Sequence, residues 1–129
     1  MFKKMAASYN ADMDAASKKT ADKAHEKYKE RVEDLLLPAE QLIGIYGLAF
    51  EFCFVTSERL VFNDNTAVAK KRITSVFLKH IQGISMDSGM LLGDVEISTS
   101  RNSYNINLVD KGVCKLFYND LILAMRNVQ

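Results

Sequence analysis

Residues 103–128 read SYNINLVDKGVCKLFYNDLILAMRNV, and a change of period inside this stretch decides the fold. Tyr104, Ile106 and Leu108 alternate with Asn105 and Asn107, the two-residue period of a strand with one buried face. From Asp110 the period becomes helical, and Val113, Leu116, Phe117, Leu121, Ala124, Met125 and Val128 fall on one side. Asp110 is placed to cap this helix and to meet its N-terminal dipole, and Arg126 suits the opposite end. A strand followed at once by an amphipathic helix calls for a sheet with an open face or end that the helix covers.

Upstream of this stretch, short apolar runs recur between turn signals. Leu42–Tyr46 is apolar and Gly47 permits a turn. Phe50, Phe52 and Phe54 alternate with Glu51, Cys53 and Val55. Thr56-Ser57-Glu58 turns the chain into Arg59–Phe62, and Asn63-Asp64-Asn65 marks the next turn. Arg72–Leu78 and Ile81–Met86 follow, with a turn at Asp87-Ser88-Gly89. Asp94–Ser98 puts Val95 and Ile97 on one face, and Asn102-Ser103 leads into the last strand. Seven strands and then a helix give an α+β protein: a curved antiparallel sheet or partly open barrel, capped by the C-terminal helix.

The N-terminal segment has another texture. No Gly or Pro occurs from Met1 to Leu37, and Ala, Lys and Glu dominate, which predicts a helix over residues 11–34 with Asn10 or Asp12 as its cap. Ala21, Ala24, Tyr28, Val32 and Leu35 form a narrow apolar stripe, and Pro38 ends the helix. Lys19, Lys23, Lys27 and Arg31 make one charged row, each with an acid three residues on, at Asp22, Glu26, Glu30 and Asp34. Two arrangements fit: a helix docked on its own domain by the stripe, or one whose charged rows help it pack on another copy. The expected division is therefore a helical extension over 1–34 and a globular domain over 35–129.

Bulk properties narrow the function classes. At 129 residues the chain can bury a core without metal or disulfide staples. Net charge is +1, and the charge is even along the chain, with eight Lys/Arg and seven Asp/Glu in residues 1–34 and nine of each in 35–129. Nothing here pulls a nucleic acid by its overall field. Cys53 and Cys114 both sit among apolar neighbours and are expected as buried free thiols in a reducing compartment. Met1-Phe2-Lys3-Lys4 has no apolar run behind it, and no stretch reaches the length of a spanning helix, so the expected location is the cytoplasm.

Several local strings carry a resemblance. Phe54-Val55-Thr56-Ser57-Glu58-Arg59-Leu60-Val61-Phe62 resembles the F-T-x-x-R-L-I hairpin of the bacterial pleckstrin-homology-like (PH-like) domains, a family of unknown function. Lys71–Ile81 resembles that family's following strand and its I-P-Y-x-x-I turn. Ser85–Gly89 stands where the family has an E-T-A-G-like stretch, and Asp94–Ile97 is similar to its D-x-E-[LI] strand. The lead-in Leu36–Ile43, with Glu40, also fits. The chain departs from the pattern at Ser85-Met86-Asp87-Ser88-Gly89, at Leu78 in place of the turn proline, and at Phe50-Glu51 in place of a basic-acidic pair. The resemblance covers about residues 35–129 and implies a PH-like barrel, bacterial origin and a tendency to form homo-oligomers through sheet contacts.

No motif for chemistry stands out. His25, His80, Cys53 and Cys114 lack metal-ligand spacing, and phosphate-loop, dinucleotide and nucleophile-elbow motifs are missing from the sequence. Asp94 and Glu96 share a strand face that reads as exposed. The chain is therefore expected to be no enzyme and to need no cofactor. One basic cluster, Lys70, Lys71 and Arg72 with Lys79 and His80 nearby, is a candidate contact for anionic phospholipid or a phosphate-bearing ligand. The first loop, Tyr46-Gly47-Leu48-Ala49-Phe50, holds no Lys or Arg, where lipid-binding PH domains usually place theirs. The leading expectation is a non-catalytic interaction or assembly module whose partner is a second copy or another protein. Contact with a membrane is the alternative.

Overall fold

The computed structural model describes residues 15–49, 51–64, 72–88 and 93–128. In chain order the elements are helix α1 (Ala15–Leu35), strands β1 (Leu42–Gly47), β2 (Phe52–Thr56), β3 (Arg59–Asp64) and β4 (Arg72–Phe77), a 3-10 turn (Leu78–His80), β5 (Gly83–Ser88), β6 (Gly93–Ser98), β7 (Ser103–Leu108) and helix α2 (Lys111–Asn127). The strands form two antiparallel sheets, ordered β1-β2-β3-β4 and β5-β6-β7. An antiparallel bridge from Leu48 to Leu108 joins them along one side, supported by Ala49 N–H to Asn107 O at 3.0 Å and Val109 N–H to Gly47 O at 3.0 Å. Between β4 and β5 the two sheets share no ladder, so the barrel is not closed.

The expected α+β architecture is present, and the periodicities explain its core. Cys53, Val55, Leu60 and Phe62 of the first sheet face Val95, Ile97, Ile106 and Leu108 of the second, and α2 plugs the space between with Val113, Leu116, Phe117 and Leu121. Asp110 caps α2 by accepting the Val113 N–H at 2.8 Å. The helix approaches β6 so closely that a Cβ on Gly93 would lie 2.5 Å from Cys114 Cβ and Sγ. Val128 departs from the expectation: it lies past the end of α2 and is 36% exposed.

Every residue of β2 is buried, because both of its faces are covered. Phe52 and Phe54 point away from the main core and, with Ile45 and Val61, form a second apolar layer under Tyr28, Val32 and Leu35 of α1. Tyr28 stacks on Phe52 at 4.3 Å between ring centres, and Arg31 lies over the same Phe52 ring at 4.9 Å. The stripe read on the N-terminal helix therefore docks on the chain's own sheet. The proposed caps Asn10 and Asp12, and Phe50, lie outside the described residues.

Several boundaries move by one to three residues. The turn expected at Asn63-Asp64-Asn65 begins later, since Asn63 and Asp64 still pair with Ile73 and Arg72. Likewise Ser88 pairs with Gly93, and Ser103 already belongs to β7, where it pairs with Ser98. Ile81 precedes β5, which starts at Gly83, because the 3-10 turn uses the residues between. At Asn63, Asp64, Ser88 and Ser103 cross-strand partners outweigh the local turn preference of Asn, Asp and Ser.

Candidate functional site

The Thr-x-x-Arg string of the β2–β3 hairpin builds a buried ionic clasp. Thr56 Oγ1 accepts the N–H groups of Glu58 (3.1 Å) and Arg59 (3.0 Å), which closes the two-residue turn, and donates to Glu40 Oε2 at 2.6 Å. Arg59 grips the same carboxylate twice, Nε to Oε2 at 2.7 Å and a terminal nitrogen to Oε1 at 3.0 Å. Its remaining donors reach Ser75 Oγ at 2.8 Å and the Leu35 carbonyl at the end of α1. Glu40 is set in place by the Leu37–Glu40 turn, where Ala39 takes a positive φ of 67° and Glu40 N–H meets Leu37 O at 3.1 Å. Burial is the largest effect on the Glu40 carboxyl and raises its pKa. Hydrogen bonds from Arg59, the Leu37 N–H and Thr56, with the Arg59 charge, outweigh it and hold the pKa below the ordinary value. The clasp ties α1, the lead-in, the hairpin and β4 together, and its ion pair between Glu40 and Arg59 is buried.

A second buried pair links β1 to α2. The Tyr46 hydroxyl donates to Asp120 Oδ2 at 2.7 Å, and Asp120 Oδ1 has no hydrogen-bond partner among the described residues. Burial pushes the Asp120 carboxyl up to about 6, against the lowering effect of the Tyr46 hydrogen bond. Burial also raises the thiols of Cys53 and Cys114, both free, which keeps them protonated and poorly nucleophilic. Among the described residues no three His, Cys, Asp or Glu side chains converge to hold a metal ion.

Of the basic residues singled out in the sequence, the structure describes the backbone of Arg72 and the whole of Lys79 and His80. Lys70 and Lys71 lie outside the described residues. Arg72 opens β4, opposite Asp64, whereas Lys79 sits exposed in the 3-10 turn beyond the other end of that strand. The six residues of β4 put about 17 Å between those ends.

The outer face of the first sheet is covered unevenly. α1 lies over β1 and β2, and among the described residues neither helix packs closely on β4. Between helix and strand runs a groove of about 200 Å³, floored by Phe52, Phe54 and Val61, with Arg31 on the helix side and Ile73 on the other. Ile73 is 53% exposed and Phe77 38%. Both project from β4, whose outer edge meets no strand among the described residues. Sequence reading missed this groove, because the alternation of Ile73, Ser75 and Phe77 shows which residues share a face and not whether that face is covered.

No curated protein sequence matches the chain. Solved structures resemble it, two of them from Shewanella species. One is a pleckstrin homology domain from Shewanella amazonensis SB2B, with a TM-score of 0.58 and 18% identity over 77% of this chain and 96% of that one. The other is a DUF1696 family protein with a pleckstrin-homology domain from Shewanella loihica PV-4, with a TM-score of 0.56 and 19% identity over 77% and 89%. At such identities the likeness is one of fold. The family model described as the bacterial PH domain matches residues 33–121, a span that holds the clasp, all seven strands and most of α2. The chain belongs to the bacterial PH domain family.

Proposed function

We propose that this PH-like domain is a non-catalytic assembly module that pairs with a second copy of itself through the bare outer face and free edge of β4. The observation that carries the reading is Ile73, large, apolar and 53% exposed beside a Phe-floored groove, on a strand with an edge unpaired among the described residues. Unpaired edges usually carry lysine, proline or a bulge to keep other chains away, and an apolar residue there favours pairing. A twofold contact lets one patch serve both partners, so a single sequence feature is enough. The buried charged groups support a non-catalytic role, since Glu40 and Arg59 are engaged with one another and Asp120 with Tyr46. The same reading assigns the domain to a reducing compartment such as the cytoplasm, where two buried free thiols stay reduced. No described helix is long and apolar enough to cross a membrane.

Light scattering or sedimentation at about 50 μM, the range of weak specific contacts, tests the proposal. The expected result is a dimer or larger assembly that Ile73→Lys reduces to monomer with an unchanged circular dichroism spectrum. A strictly monomeric parent chain would refute it.

A further inference from the structure

Near the far end of β4 the chain builds a pocket of another kind. The end of β4, the 3-10 turn and the β6–β7 turn surround a space of about 330 Å³. Ser75, Thr99 and Tyr104 line it together with His80 and Arg101, and its lining includes no carboxylate. Arg31 and Arg59 each meet a carboxylate, Glu51 and Glu40, whereas the Arg101 guanidinium has no ion-pair partner among the described residues. The turn that presents it is held shut: Thr99 N–H meets Asn102 O at 2.9 Å, and Thr99 Oγ1 accepts the Asn102 N–H at 3.1 Å. Tyr104 is fixed edge-on against Phe62 at 5.3 Å, and His80 lies edge-on to the exposed Phe77 ring at 6.4 Å.

We propose that this pocket binds a small phosphate monoester. A guanidinium fork, an imidazole and the Tyr104 phenol offer several donors to one ligand, and they suit the several terminal oxygens of a phosphate. The space exceeds what a bare ion fills and lies at the small end of ligand pockets, about 300 Å³ and upward. Arg101 and His80 hold the oxyanion, and the carbon body of the ligand rests on Phe77. This site is separate from Arg72, which lies at the opposite end of β4.

Phenyl phosphate is the first probe, followed by amide chemical shifts in proton–nitrogen NMR spectra. The amides of Phe77–His80 and Thr99–Asn102 are expected to move together and to saturate with a Kd on the order of 1 mM or tighter. Arg101→Ala, an exposed turn substitution, should weaken binding by about tenfold or more with the remaining spectrum unchanged. Phosphatidylcholine vesicles with and without phosphatidic acid distinguish the source of the monoester. Arg101-dependent cosedimentation with phosphatidic acid places it on a lipid, and its absence beside saturable phenyl phosphate binding places it on a soluble molecule. Because Phe77 shares β4 with the proposed self-contact, the titration is repeated on Ile73→Lys, where binding should persist whether or not the parent chain assembles. The inference is overturned if neither probe perturbs the two turns, or if Arg101→Ala binds as tightly as the parent.

Discussion

Replacing Asp120 by asparagine should stabilise the protein at neutral pH and flatten the pH dependence of its stability. Asp120 is 4% exposed, one oxygen takes the Tyr46 hydroxyl at 2.7 Å, and the other has no partner among the described residues. Burial raises its carboxyl from 3.8 to about 6, so the folded state holds the proton more tightly than the unfolded state. The group therefore stabilises the fold below pH 3.8, and this contribution disappears as the pH rises through about 6. A rise of that size corresponds to about 3 kcal/mol, of which about 2 kcal/mol falls between roughly pH 4 and pH 7. The side-chain amide in Asp120→Asn keeps an acceptor for Tyr46 and removes the charge. Urea unfolding of the parent and Asp120→Asn at both pH values gives two stability differences, and their change cancels every group common to the two chains. Glu40 is one such group: its lowered pKa adds stability above pH 4.5 that is lost as the pH falls. The variant is expected to gain about 2 kcal/mol on the parent between the two pH values. Parallel pH profiles would refute the reasoning, since they would mean that the carboxylate is solvated in the fold.

Arg59→Ala should cost about 3–5 kcal/mol in urea unfolding, because it strands the Glu40 carboxylate in a buried site without its guanidinium. The double variant with Glu40→Gln should recover part of that loss, and an equal loss in both chains would show that the charge is not what matters. Phe52→Ala should cost about 3–5 kcal/mol and should speed hydrogen exchange along α1 more than along α2, since Phe52 is the ring on which Tyr28 stacks. Equal acceleration in both helices would mean that α1 has no separate layer of its own.

Period and turn chemistry made the strand order and both helices legible, because each element carries its own repeat. Cys53 and Val55 alternate with Phe52 and Phe54, and β2 shows the same two-sided arrangement in its burial. What the pattern left open was the occupant of the second face. Only the fold shows that the α1 stripe fills it, since helix and strand are related by tertiary packing and not by spacing. The clasp was half legible: Thr56 and Arg59 stood in a recognisable string and Glu40 in the lead-in, yet nothing local joins residues 19 positions apart. Arg101 carried no signal, as a lone arginine in a polar turn reads as an ordinary solvated residue. The basic cluster shows the opposite limit: Arg72 and Lys79 are near neighbours in sequence, and an extended strand carries them to opposite ends of the sheet.

The bridge between Leu48 and Leu108 gives the domain the mechanics of a book. β1, β7 and α2 form the spine, and β4 and β5 are the fore-edge, where no ladder joins the two covers among the described residues. Small opening motions therefore pivot about the spine and are widest at the fore-edge, so amides of β4 and β5 should exchange ahead of those in β1 and β7. A binder that touches both covers works as a latch: it stiffens the whole molecule while contacting little of it, and its grip depends on how far the book was open before it arrived.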